Sequence, residues 1–170
     1  ESGQVELALR TENRPWTPAF SPDGSLLAVG VGRKIELFAY PSGEKLAVLE
    51  TPDAVGRLDW HPFGQVIAAG SPNGYVTLLD VGTRKFKVIE AHTQRITRLA
   101  FHPSGRLLVT ASWDGRTRFW DAGSGRPLLE TESGFALGFD STGERLGFFR
   151  EGMGVGEWRI DLDSLFETIT

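Results

Sequence analysis

An aromatic residue followed four positions later by glycine occurs four times in this chain at nearly constant intervals. No other feature restricts the possible folds as strongly. The copies are Phe20-Ser21-Pro22-Asp23-Gly24, Trp60-His61-Pro62-Phe63-Gly64, Phe101-His102-Pro103-Ser104-Gly105 and Phe139-Asp140-Ser141-Thr142-Gly143, with their glycines 40, 41 and 38 residues apart. Proline presets φ for a turn and glycine supplies the positive φ that other residues resist. The fourth copy lacks the proline and keeps the glycine. Each turn is followed by an apolar run: Leu26-Leu27-Ala28-Val29, Val66-Ile67-Ala68-Ala69, Leu107-Leu108-Val109-Thr110 and Leu146-Gly147-Phe148-Phe149. Such runs, bounded by turns, read as strands buried on both faces. A second large residue recurs 14 or 15 positions after the turn glycine, at Phe38, Leu79, Trp120 and Trp158. A period near 40 residues holding four short strands fits a propeller blade better than a helical solenoid.

Composition narrows the class. The 170 residues are 40% hydrophobic and 24% charged, with no apolar stretch long enough to span a bilayer. A formal charge of −4 argues against a general nucleic-acid binder, which needs a basic surface, though a local basic patch is compatible with it. With no cysteine there are no disulfides or thiolate metal sites, and the chain suits a reducing compartment such as the cytoplasm. The single methionine is internal, at Met153, so Glu1 is not an initiator and the chain reads as processed or cut from a longer one.

The third repeat carries Ala91-His92, Ser112-Trp113-Asp114-Gly115 and Trp120-Asp121. With the recurring turns, these residues make the chain resemble the WD-repeat family over essentially its whole length. The resemblance implies an all-β propeller of WD-type blades and a structural tetrad of His92, Ser112, Asp114 and Trp120. A buried indole N–H needs an acceptor, and a hydroxyl and an imidazole can relay the chain of bonds to a carboxylate. The other repeats depart from the pattern, with Ser71, Asn73 and Leu79, with Gly30, Gly32 and Phe38, and with Arg150, Gly152 and Trp158. Those three blades are expected to rely on packing alone.

The same reading divides a single propeller region, 1–170, into blades at about 11–50, 51–92, 93–133 and 134–170. Residues 4–10, with Val5, Leu7 and Leu9 alternating, read as an outermost strand of an adjoining or closing blade. In the outer strands, Leu46/Val48 and Phe86/Val88 alternate with charged neighbours. About 16 antiparallel strands are expected. Closing four blades into a ring would need ~90° per blade, whereas WD-type repeats resemble those of larger rings. An open arc cut from a larger propeller and a homodimer completing an eight-blade ring by strand exchange both remain open. Residues 161–170 are either an outer strand or a helix capped by Ser164.

Catalytic, metal and cofactor chemistry has no foothold in the sequence. His61 and His102 share a turn position with Ser21 and Asp140, which marks them as turn residues. No two histidines fall within one short motif, as a metal site would prefer. Gly30-Val31-Gly32 and Gly152-Met153-Gly154-Val155-Gly156 lack the following helix and GK[ST] ending of a phosphate loop. There is no GxSxG elbow, and Ser112 is placed between a buried tryptophan and a turn rather than beside a substrate.

The expected role is a protein–protein docking platform without an enzyme activity, with proteins or peptides as partners and no nucleic acid or membrane. The resemblance places the partner face at the loops leading into the innermost strands and at the turns between the second and third strands. The candidate contacts there are Arg14, Arg95, Trp113 and Glu151. The flavour of the repeats resembles bacterial proteins, and an alternative reading makes the chain a regulatory or localising region of a larger multidomain enzyme such as a bacterial Ser/Thr kinase.

Overall fold

A computed structural model of the chain describes residues 7–11, 13–132, 135–150 and 152–167, Leu137 by its backbone only. Among the described residues fifteen strands form four separate sheets, each an antiparallel meander. Sheet 1 holds β1 (Thr17–Phe20), β2 (Leu26–Val31), β3 (Lys34–Ala39) and β4 (Lys45–Glu50). Sheet 2 holds β5 (Arg57–Trp60), β6 (Val66–Gly70), β7 (Tyr75–Asp80) and β8 (Phe86–Glu90). Sheet 3 holds β9 (Ile96–Phe101), β10 (Leu107–Ser112), β11 (Thr117–Asp121) and β12 (Pro127–Thr131). Sheet 4 has three strands, β13 (Phe135–Phe139), β14 (Arg145–Arg150) and β15 (Gly154–Arg159), and is followed by α1 (Leu162–Glu167). No described helix is long and apolar enough to cross a membrane.

The first strand of each sheet lies beside the first strand of the next, β1 with β5, β5 with β9 and β9 with β13, so the sheets fan out as an open arc. The core is therefore three seams between sheets. Ile35, Leu37 and Leu49 of sheet 1 meet Leu58, Trp60, Ile67 and Leu79 of sheet 2. Leu78 and Ile89 of sheet 2 meet Ile96, Leu99, Leu108 and Trp120 of sheet 3. Leu107, Val109 and Phe119 of sheet 3 meet Ala136 and Leu146 of sheet 4, with Leu162 and Leu165 of α1 against the same seam. Within sheet 2 alternate residues of a strand face opposite seams, Ile67 and Leu79 the first and Ala68 and Leu78 the second, the period-2 alternation of strands packed on both faces. β10, between two sheets, is buried along its whole length, whereas β14 is buried only at Leu146, because no further sheet covers its far side.

Hydrogen bonds also cross the seams. The Trp60 indole donates to Ala19 O at 2.9 Å, Arg57 Nε donates to Thr97 O at 2.7 Å, and Phe101 N donates to Asp59 Oδ2 at 2.8 Å. Blades without the tetrad residues are thus not held by packing alone, contrary to the sequence expectation. His61 and His102 have more to do than turn the chain. Their Nε2 atoms sit 3.1 Å from Gly105 O and 3.0 Å from Gly143 O, each reaching the turn glycine of the following sheet. Gly143, at φ 80°, is doubly constrained, since an added Cβ would lie 2.2 Å from His102 Nε2.

Other expectations need correction. Residues 4–6 of the anticipated N-terminal strand lie outside the described residues, and 7–11 form no strand. Leu7 and Leu9 instead lie against Gly43, and Leu9 packs on Val29, Val31 and Phe38 of the uncovered flank of sheet 1. On that flank the buried Glu36 pairs with Lys45 at 2.9 Å. In the outer strands, Leu46, Val48, Phe86 and Val88 point outward, while Leu49 and Ile89 enter the seams. The sheets splay apart toward the periphery, so only one parity of an outer strand finds a neighbour. The C-terminal segment is a helix whose cap is Asp161, accepting from Ser164 N at 3.2 Å, because a cap oxygen must precede the first turn rather than sit within it.

Candidate functional site

The turn between β10 and β11 turns two kinds of side chain in opposite directions. Gly115, at φ 82°, closes it, and its N–H donates to Ser112 O at 3.1 Å. Asp114 points inward and Trp113 outward, 62% exposed.

On the inward side a hydrogen-bonded chain runs through sheet 3. Trp120 Nε1 donates to Thr110 Oγ1 at 2.9 Å, Thr110 Oγ1 is 2.8 Å from His92 Nε2, and His92 Nδ1 is 3.0 Å from Asp114 Oδ2. An indole only donates, so Thr110 Oγ1 accepts from Trp120, and Arg118 Nη1 lies 2.7 Å from His92 Nδ1 beside the carboxylate. Arg118 Nη1 extends the chain, donating to Asp114 Oδ2 at 3.0 Å and to Ala91 O at 2.8 Å, while its Nε donates to Glu130 at 2.5 Å. Burial pushes the His92 imidazole below its ordinary pKa, although Asp114 pulls the other way. Burial also pushes the Asp114 carboxyl up, but the hydrogen bond and charge of His92, with those from Arg118 and Thr93 N–H, outweigh it and leave the pKa below the usual carboxylate range.

Of the four residues expected in this network, His92, Asp114 and Trp120 are brought together and Ser112 is not. Ser112 Oγ donates to Gln94 O at 3.0 Å and accepts from Asp114 N at 3.1 Å, bracing the turn. The register explains the substitution. Trp120 stands opposite Leu108 and Arg118 opposite Thr110, so the indole's diagonal neighbour on the same face is Thr110. Ser112 lies a further two residues along, about 7 Å away. Every polar side chain of the network is committed to another, which suits a strut and leaves no nucleophile facing solvent.

The outward side is different. Arg95, in the loop before β9, has its guanidinium carbon 5.2 Å from the centre of the Trp113 ring and 5.5 Å from that of Trp16. Trp16, just before β1, is 55% exposed, so the two indoles clamp the cation at the rim of the arc. Trp113 N also donates to Arg95 O at 3.0 Å, tying turn to loop. Arg14 is exposed two residues before Trp16. Glu151 lies outside the described residues. Trp16, Thr110 and Arg118 were not anticipated as members of either cluster. Thr110 is recoverable by mirroring the strands about the turn at Asp114. The position of Trp16 depends on how sheets 1 and 3 face each other, which no local pattern encodes.

Beside this rim lies a concavity of about 600 Å³ formed where the first strands converge, with Thr17, Arg57, Arg98, Trp113, Phe135 and Phe149 in its wall. No group of His, Asp or Glu among the described residues is placed to hold a metal ion.

Comparison with known proteins agrees with this architecture. Residues 43–80 and 83–121 match the family described as WD domain, G-beta repeat. Each matched stretch runs from an outer strand or its approach to the third strand of the next sheet, so the sequence repeat is offset from the sheets. The chain is 30% identical over 116 residues to the WD repeat-containing protein SL1-17 of Schistosoma mansoni, covering 67% of this chain and 38% of that protein. It is 31% identical over 115 residues to the COMPASS component SWD3 of Saccharomyces cerevisiae, covering 66% and 36% respectively. A chain in a crystal structure of the Mitotic Checkpoint Complex superposes with a TM-score of 0.73 at 20% identity, over 84% of this chain and 45% of that one. The first two matches span well under half the length of these curated relatives, and the last speaks for the fold alone. Both named source organisms are eukaryotes, so these matches lend no support to the expected bacterial source.

Proposed function

We propose that this chain, whose residues 43–80 and 83–121 match WD40 repeats, is a docking platform that holds other proteins and performs no chemistry of its own. The observation that carries the reading is the division of labour at the β10–β11 turn. Polar side chains that could do chemistry are locked inward, while Trp113 and Arg95 are presented outward with Trp16. Large aromatic and arginine side chains on a rigid support are what protein interfaces concentrate their energy on. Further support comes from a relative that is named as a component of COMPASS.

The test is a photo-crosslinking residue placed at 113 and, as a control, at the outward-facing position 88 on β8. Selective capture of one protein from position 113, repeated with purified components, is the expected result. Equal labelling from both positions contradicts the assignment of the face.

A second reading concerns self-association. Among the described residues sheet 4 has three strands where the others have four, and β15 carries exposed residues such as Val155. Two copies could complete a larger ring if the N-terminal segment of one pairs with β15 of the other. The solution mass decides this reading, a dimer supporting it and a monomer at high concentration opposing it.

A further inference from the structure

We propose that the concavity beside Trp113 binds an extended acidic peptide segment, its carboxylates paired with arginines and an apolar side chain laid on the aromatic wall. The inference rests on the docking reading and names the chemistry of the partner.

Three observations lead to it. First, the chain carries 22 acidic against 18 basic residues, yet among the described residues the wall of this concavity holds Arg57 and Arg98 and no carboxylate. A positive hollow in a negative protein is a local field set against the mean, and such fields choose partners and speed their approach. Second, two of the arginines are already oriented. Arg57 is tethered by Nε to Thr97 O at 2.7 Å and by Nη1 to Gly56 O at 2.8 Å. Arg95 is held at the rim between the Trp16 and Trp113 rings. A guanidinium fixed before binding loses little freedom when it pairs with a carboxylate, and its fork matches the two oxygens. Asp59, on the same strand as Arg57, is not part of the wall, and its carboxylate accepts from Phe101 N. Third, the charges alternate with apolar surface, because Phe135, Phe149 and Trp113 share the wall and the last two are more than 40% exposed. A volume of about 600 Å³ lies within the ordinary size of ligand sites.

The same groups could stack on nucleic-acid bases, but a chain with net charge −4 repels a polyphosphate at every other surface. A peptide presents its carboxylates only where the hollow is positive.

The experiment is fluorescence anisotropy with the full chain and a fluorescein-labelled dodecapeptide of alternating glutamate and glycine around a central phenylalanine. Matching peptides with glutamine or lysine for glutamate, and an oligothymidylate of equal length, are run beside it. The acidic peptide should bind about tenfold more tightly than the glutamine peptide, as charge-assisted hydrogen bonds imply, and lose most of that margin at high salt. Arg98→Glu should abolish the margin and Arg98→Gln reduce it, while Val88→Glu on the outer strand leaves it intact. Thermal melts confirm that each variant is folded. Equal binding of all three peptides, lost in Trp113→Ala, overturns the acidic preference and leaves the docking face standing. Tighter binding of the oligothymidylate, or an acidic margin indifferent to Arg98→Glu, also overturns the proposal. If no peptide binds while position 113 still crosslinks one protein, the acidic inference fails alone; if neither occurs, the docking reading fails with it.

Discussion

The imidazole of His92 and the indole of Trp120 meet at a single atom, the Thr110 hydroxyl oxygen, 2.8 Å from one and 2.9 Å from the other. That oxygen accepts from the indole and shares a hydrogen bond with the ring nitrogen at once, in a fully buried site. Replacing it with a methyl group of the same shape strands both partners. Thr110→Val should therefore destabilise the chain by about 2 kcal/mol or more, against about 1 kcal/mol for Ser112→Ala, which removes only a turn brace. Urea unfolding of the two variants at neutral pH checks the order. A larger loss from Ser112→Ala would return the hydroxyl role to serine.

The lowered pKa of His92 makes stability depend on pH, and the sign follows from linkage. In the unfolded chain a histidine takes up its proton near pH 6.5, while the folded imidazole resists until a lower pH. Between those two values the unfolded state binds more protons, so stability falls as the pH drops below about 6.5. His102, lowered chiefly by burial, adds a slope of the same sign. Asp114 adds a further loss on the acid side of about pH 4, where its protonation in the unfolded chain begins. His92→Gln should flatten the first of these slopes by up to about 1.4 kcal/mol per pH unit. Denaturation midpoints from pH 7.5 down to pH 5 measure it, and an unchanged slope in the variant would assign the titration elsewhere.

Turn glycines that look alike in sequence should respond unequally to substitution. Gly24 and Gly143 share a positive φ of 70° and 80°, so alanine strains the backbone at both. Around Gly24 nothing lies within reach of an added Cβ, whereas at Gly143 it would strike the His102 ring. Gly24→Ala should cost about 1 kcal/mol from strain alone, and Gly143→Ala about 2 kcal/mol or more. Shortening the ring partner in the His102→Ser/Gly143→Ala double variant should recover part of that difference. Strictly additive losses would show that the two residues do not clash.

These contrasts also show what could be read in the chain before its structure was known. The spacing of Gly24, Gly64, Gly105 and Gly143 was enough to locate the meanders, because a turn needs its glycine whatever surrounds it. Strand parity was less transparent. Whether Val48 or Leu49 enters the core depends on which neighbouring sheet it faces, and the outer strands have one neighbour within reach. The resemblance points to Ser112 where the register points to Thr110, since mirroring residues about Asp114 sets Trp120 beside Leu108 and Thr110. The bonds from His61 and His102 to the next sheet were hidden because a turn histidine and a turn serine look interchangeable until the neighbouring blade is in place. The clamp of Arg95 between Trp16 and Trp113 joins residues of sheets 1 and 3, a juxtaposition that only the curvature of the arc creates.

The docking account is tested most directly by titrating the partner captured at position 113 against the Trp113→Ala chain, with Val88→Ala as the control. Trp113 is exposed and outside the seams, so both variants should melt within a degree or two of the parent. The account predicts that Trp113→Ala weakens binding by about 2 kcal/mol, roughly thirtyfold, and that Val88→Ala leaves it unchanged. Unaltered affinity in the folded Trp113→Ala chain would contradict it.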